Sequence, residues 1–320
     1  MLVRNIFDAR VIVVWMIAFG GVLGLCGCGD SASSTPVVQS EPARLRVFAP
    51  NTPLAWLVRE LGGEGIDLLA PWYVGGVDPA EWSPSAADIR KLQSADLVIF
   101  NGADYEPWAS RVALRRSTIL DSTAELTKFL IKQDGAVHTH GPKGAHSHTG
   151  FASSTWLSPT LFAAQASAIA ERLATLQPSR RAAILERLAG ITDRLTTLDA
   201  SLKECGLRQP QWLASHPVYQ YVGQSARATI DSMHWEPRDS PSDAQWAEFS
   251  LARAKIGSAR VPMLWEGEPT VEVRKRLETM GVDIVRYPLY ASMSNDAIQD
   301  LANSIREVRE ALNLRPYVKR

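Results

Sequence analysis

One stripe of leucine and isoleucine dictates more of this chain's architecture than any other part of it. Leu188, Ile191, Leu195, Leu198 and Leu202 recur at spacings of three and four, the signature of a single amphipathic helix. Pro178 suits its first turn, Lys203 its last and Gly206 its stop, which predicts a linking helix over 178–206, about 40 Å long at 1.5 Å per residue. The seam is short for a homodimer coiled coil and lacks a regular flanking charge pattern. It reads as a spine within one chain, and the protein is expected to be a monomer.

On both sides of the stripe, short apolar runs alternate with helical patterns. Before it come Leu45–Phe48, a helix over Leu54–Leu61, Ile66–Leu69, a helix over Ala86–Leu92 and a strand over Asp96–Phe100. After it come Gln211–Ala214, a helix near Tyr219, Val261–Trp265, a helix over Val271–Met280, Val282–Val285 and a closing helix over Asp296–Leu312. Strands separated by helices imply parallel sheets covered on both faces. The expected fold is α/β, with two parallel-sheet lobes at 44–177 and 207–320 joined by the helix.

The first residues carry Arg4 and Arg10, then an apolar run from Val11 to Leu25 that ends in Leu25-Cys26-Gly27-Cys28. The run is shorter than the roughly 20 residues a helix needs to cross a bilayer, so it reads as a cleaved secretory signal over 1–27. Its end resembles the bacterial lipobox, which makes Cys28 the predicted lipidated residue and anchor at the outer face of the cytoplasmic membrane. Residues 28–43, rich in Ser, Pro, Thr and Ala, read as a flexible tether. Cys205 is then left without a partner, and no internal disulfide is expected. Lys plus Arg and Asp plus Glu both number 34, a balance that gives no electrostatic reason to expect nucleic acid as a partner.

Four of the six histidines fall within 134–150, as His138-Thr139-His140 and His146-Ser147-His148, separated by a stretch containing Gly141, Pro142 and Gly144. Imidazole is largely neutral at pH 7 and can donate to a metal at little cost in protons. The segment reads as a mobile loop that captures metal; the alternative is a polar surface loop in which histidine is incidental. His216 follows the strand Gln211–Ala214, and Glu266 follows Val261–Trp265. The carboxyl ends of parallel strands are where open α/β sheets place their binding crevice, so both are candidate metal residues, with a helix-cap role as the alternative for each. His234 and Glu236 are reserve candidates, though a histidine between Met233 and Trp235 reads more readily as packed core. Ten tryptophans, among them Trp82, Trp108, Trp156, Trp235 and Trp265, offer a second reading, an aromatic cleft for an organic solute. Nothing resembling a metalloprotease helix, a nucleophile elbow or a phosphate-binding glycine loop is present, so the chain is not expected to be an enzyme.

Asp78-Pro79-Ala80-Glu81-Trp82-Ser83-Pro84 and Ala95-Asp96-Leu97-Val98-Ile99-Phe100-Asn101-Gly102 are similar to segments of the zinc/manganese solute-binding proteins of ABC importers. The likeness continues through the histidine-rich segment, Trp156-Leu157-Ser158-Pro159, Ser215-His216-Pro217 and Leu264-Trp265-Glu266-Gly267-Glu268-Pro269. The resemblance implies two lobes with metal held between them, delivered to an ABC permease in the cytoplasmic membrane. It also implies four ligand positions, of which only His216 keeps a ligating residue. Ala80, Ser154 and Tyr287 stand at the others. A rebuilt site is expected to draw on Glu81, Glu266, His216 and the histidines at 138, 140, 146 and 148. An imidazole-rich set favours zinc, whereas manganese prefers oxygen.

Overall fold

The apolar runs become strands because both of their faces are covered. In Leu97–Phe100 and Val261–Trp265 nearly every residue is buried, as expected of strands between two helical layers. The computed structural model describes residues 44–69, 82–139, 145–235, 240–289 and 296–314, apart from the side chains of 134–139 and 145–149. The first lobe contains β1 (Leu45–Phe48), α1 (Thr52–Gly62), β2 (Ile66–Leu69), α2 (Ala86–Gln93), β3 (Leu97–Phe100) and β4 (Ile119–Asp121), with the strands in the order β2-β1-β3-β4. All of its pairings are parallel, with Leu45 opposite Ile66 and Val98 opposite Ile119. Then come β5 (Lys132–Thr139), β6 (Ala145–Phe151), α3 (Pro159–Leu176) and α4 (Arg181–Arg208). The second lobe contains β7 (Gln211–Ala214), α5 (Gln220–Ala226), β8 (Thr229–Ser232), α6 (Asp243–Ala254), β9 (Val261–Trp265), α7 (Val271–Thr279), β10 (Val282–Arg286) and α8 (Ala297–Ala311). Its sheet runs β10-β9-β7-β8, again parallel throughout.

Local chemistry sets the helix starts. Asn51 caps α1 by accepting from the Leu54 N–H at 2.9 Å, and Ser85 with Asp88 closes a capping box on α2. Such caps satisfy N–H groups that the helix itself leaves unpaired.

The spine differs in detail from its sequence reading. Pro178 opens a short 3-10 turn, Pro178–Arg180, ahead of α4, and Gly206 lies inside the helix rather than at its end. Gly206 is needed for proximity: a Cβ there would lie 1.8 Å from the carbonyl oxygen of Ala226, so the glycine lets α5 close on α4. The buried stripe of α4 includes Ile184, Ile191, Leu195, Leu202 and Cys205. It belongs to one continuous core that runs from Val47 and Leu97 in the first sheet to Trp212, Leu264 and Val285 in the second. Residues 42–320 accordingly form one compact unit. No helix among the described residues is long and apolar enough to cross a membrane.

The histidine-rich segment, read from sequence as a mobile loop, forms an antiparallel ribbon. Its register pairs Lys132 with Phe151 at the root and His138 with His146 further out, with an irregularity between Asp134 and Val137.

Candidate functional site

The two sheets present their carboxyl ends to a common seam, and the chain bonds across it. Ser154, which follows the ribbon, donates from Oγ to the Val218 carbonyl at 2.6 Å, and Trp156 donates from Nε1 to the Leu289 carbonyl at 2.7 Å. At the ribbon's root, the Tyr221 hydroxyl accepts from the Ile131 N–H at 3.2 Å and donates to the Ala152 carbonyl at 2.8 Å. Ser158 and Ser225 share a hydroxyl–hydroxyl bond of 2.7 Å.

On the second lobe, Ala214 of β7 is in register with Leu264 of β9. His216 and Glu266 each follow by two residues, so both lie just past the carboxyl ends of these two adjacent central strands. Both are half-buried. Tyr219 lies beside them: burial first, and then the charges of Glu266 and Tyr287, hold its phenol in the neutral form well above the usual range. Its hydroxyl donates to the Tyr287 carbonyl at 2.7 Å, and the two rings meet edge to face at 5.6 Å.

Two of the positions that the family resemblance marks for ligands, 154 and 287, hold packed side chains. Ser154 is 5% exposed and its hydroxyl is committed to Val218. Tyr287 is 1% exposed and lies in the shared core, where burial and then the nearby Cys205 raise its phenol far above its ordinary range. The bond to Val218 fixes the Ser154 hydroxyl within the packing, and the neutral Tyr287 phenol is a poor metal ligand. Cys205 is buried, and desolvation lifts its thiol to about 11; the ligating thiolate is therefore disfavoured. Ala80 and Glu81 lie outside the described residues, as do His140 and Glu236. The backbone of His138, His146 and His148 is described, on β5 and β6. Among the described residues, no group of three or more His, Cys, Asp or Glu side chains is arranged to hold a metal ion.

Two sequence readings change. His234, expected in the core, is exposed, with buried Met233 and Trp235 on either side. The tryptophans do not share a cleft. Trp108, with Trp82 against it at 5.2 Å, belongs to one core cluster, Trp156 to a second, and Trp235 with Trp265 to a third. They fill separate interiors, as large apolar side chains do when their area is worth burying.

The sequence reading also missed a buried polar cluster at the end of β3. Asn101 Nδ2 donates to the Ser153 carbonyl at 2.9 Å, while its Oδ1 accepts from Thr155 and Gln165, both at 3.1 Å. Gln165 also donates to Ser122 Oγ at 2.8 Å. Below it, Glu106 accepts from the N–H groups of Asn101 at 2.6 Å and Gly102 at 3.2 Å. Burial pushes the Glu106 carboxyl up to about 8 against the pull of those donors, and the charge of Asp121 adds to the rise. The Asn-Gly pair after an apolar strand was legible as a turn, but nothing in the spacing singled out Glu106 or Gln165.

Parallel lobes bound through one spine, with polar residues gathered at facing strand ends, define a solute-binding protein of the metal-importer type. The chain belongs to the ZnuA family, zinc-uptake complex component A, periplasmic, whose model matches residues 47–265. It is similar to the manganese ABC transporter substrate-binding lipoprotein scaA of Streptococcus gordonii, 25% identical over 298 residues that cover 91% of each chain. It is also similar to the zinc-binding lipoprotein AdcA of Streptococcus pneumoniae, 23% identical over 220 residues, 65% of this chain and 42% of that one. Its fold matches the crystal structure of the metal-dependent lipoprotein YcdH from Bacillus subtilis with a TM-score of 0.68 at 15% identity, covering 84% of this chain and 99% of that one. The protein is therefore a substrate-binding component of an ABC importer and not an enzyme. The family works with permease components and carries divalent metals.

Proposed function

We propose that this chain captures zinc outside the cytoplasm and delivers it to an ABC permease, acting as a monomer held to the membrane through lipid on Cys28. The ribbon makes first contact, through His138, His140, His146 and His148, and His216 with Glu266 retains the ion; Glu81 is the remaining candidate donor. The observation that carries this reading is where the ribbon is rooted. Ile131 and Ala152 bond to Tyr221, and Ser154 bonds to Val218, two residues beyond His216.

The register opposite His138 supports it further. The ladder sets the backbone of His138 directly opposite that of His146, and directly opposed residues of an antiparallel ladder share a face. Zinc accepts such nitrogen-rich sets, with carboxylate completing a four-coordinate shell, whereas manganese favours oxygen.

The test is metal analysis of the purified exported chain, followed by stripping and titration with zinc and manganese. Zinc is expected to bind and to raise the melting temperature by linkage. His216→Ala is expected to weaken binding more than any single ribbon substitution, because the ribbon histidines replace one another. A stripped protein that ignores both metals would overturn the reading.

A further inference from the structure

The ribbon leaves the first lobe through a clasp that the proposed function has not used. Residues Gly102, Ala103 and Asp104 all have positive φ, at 77°, 49° and 60°, a run that side-chain-bearing residues adopt only when held there. Three contacts tie this turn to the ribbon's exit strand. Asp104 Oδ2 accepts from the Phe151 N–H at 2.9 Å, Asn101 Nδ2 donates to the Ser153 carbonyl, and Asn101 Oδ1 accepts from Thr155. The fit is close on both sides. A Cβ on Gly150 would lie 2.3 Å from Asp104 Oδ2, and one on Gly102 would lie 2.1 Å from both Asp121 Oδ1 and Thr123 Oγ1.

What holds the turn is Glu106, whose two carboxyl oxygens take the N–H groups of Asn101 and Gly102. Its carboxyl borders a cavity of about 300 Å3 at the ends of β3 and β4. The charged groups facing that cavity are Asp121, from β4, and Asp104, from the turn itself; Thr123, Thr127 and Phe151 contribute no charge.

We propose that Glu106 is a positioning residue for metal capture: by holding the N–H groups of Asn101 and Gly102 it fixes the turn that grips Phe151, Ser153 and Thr155, and so sets the pose from which the ribbon binds. The part that concerns metal rests on the zinc reading above; the grip on the exit strand does not. The charged groups that face the carboxyl from the cavity lining are both acidic, and burial opposes its ionisation, so the clasp closes best while Glu106 is neutral. The ionised form accepts the two N–H groups more strongly, but its desolvation in the closed clasp outweighs those bonds.

Two measurements on the exported chain test this, using Glu106→Gln, which keeps the shape but stays neutral, and Glu106→Ala. In metal-free protein, amide exchange at Phe151 and Thr155 is expected to accelerate about tenfold in Glu106→Ala relative to the rest of the first lobe. Unchanged protection there would overturn the proposal. With zinc delivered from a chelator buffer, the dissociation constant of Glu106→Gln divided by that of the native chain is expected to lie near unity at about pH 6 and to fall about fivefold by about pH 9, because ionisation of the native carboxyl loosens the clasp. A ratio that stays flat would show Glu106 to be a structural residue only. If neither protein binds zinc, the transport reading fails while the exchange result still decides whether Glu106 holds the strand. If Glu106→Ala does not fold, exchange at Phe151 and Thr155 is compared at about pH 9 between the native chain and Glu106→Gln, and is expected to be faster in the native chain, whose carboxyl is then ionised.

Discussion

The seam and the ribbon received the same kind of residue in opposite circumstances. At the seam, side chains at 154 and 156 bond to the second lobe's backbone and Tyr221 bonds to the first lobe's, while Tyr287 is sealed in the core. On the ribbon, His138, His146 and His148 occupy a two-stranded ladder rooted at Lys132 and Phe151. The Ser154 hydroxyl is tied to a carbonyl across the seam and the Tyr287 ring to the core, whereas the ladder positions are the ones proposed to serve metal. The comparison teaches that a family scaffold can keep its outline while the atoms at its inherited positions change occupation from binding to packing.

The strongest way to break this contrast is Trp156→Ala. Loss of a buried indole and its bond to Leu289 is expected to cost about 3–5 kcal/mol of unfolding free energy, read by urea denaturation, while zinc stoichiometry at the ribbon is unchanged. If stoichiometry falls instead, the seam holds metal after all.

Next in size is the dependence on pH. The Glu106 carboxyl is raised from 4.5 to about 8 in the folded chain, so the native state holds a proton that the unfolded state releases. Its contribution is fully present below about pH 4.5 and is lost as pH climbs towards 8. Discounted for solvent in the adjoining cavity, the loss is on the order of 1–3 kcal/mol. Denaturation midpoints at pH 5 and pH 8 should show it, and Glu106→Gln should flatten the slope.

Ser154→Ala removes one bond across the seam and leaves the Val218 carbonyl without it, an expected loss of about 1 kcal/mol with no effect on zinc. The smallest effect has the opposite sign. The Tyr287 hydroxyl is buried without a hydrogen-bond partner among the described residues, so Tyr287→Phe is expected to stabilise by up to about 1 kcal/mol. A destabilisation would mean that the hydroxyl is satisfied by a group outside them.

Much of the fold was legible because it rests on local rules. The runs Leu45–Phe48, Val261–Trp265 and Val282–Val285 are strands because uninterrupted apolar residues need cover on both faces, and the stripe from Leu188 to Leu202 is a helix because its period admits nothing else. The helix α3 went unread because its alanines give no stripe; Ala166, Ala170 and Ala174 are buried nonetheless, since small residues let it pack against its neighbours. The ribbon went unread because glycine and histidine carry little strand propensity, and it exists through pairing between distant residues rather than local preference.

The same division runs through the site. The order of residues alone determined where the sheets end, hence that His216 and Glu266 stand at strand termini, and it placed histidines in two closely spaced pairs. Tertiary structure alone decided that Ser154 and Tyr287 are consumed by packing, that the tryptophans lie in separate cores, and that Glu106 sits half-buried beneath the turn that grips the ribbon. The reason is physical: periodicity and propensity are properties of neighbours along the chain, whereas desolvation and hydrogen-bond satisfaction depend on which distant atoms arrive beside a group once the chain has closed.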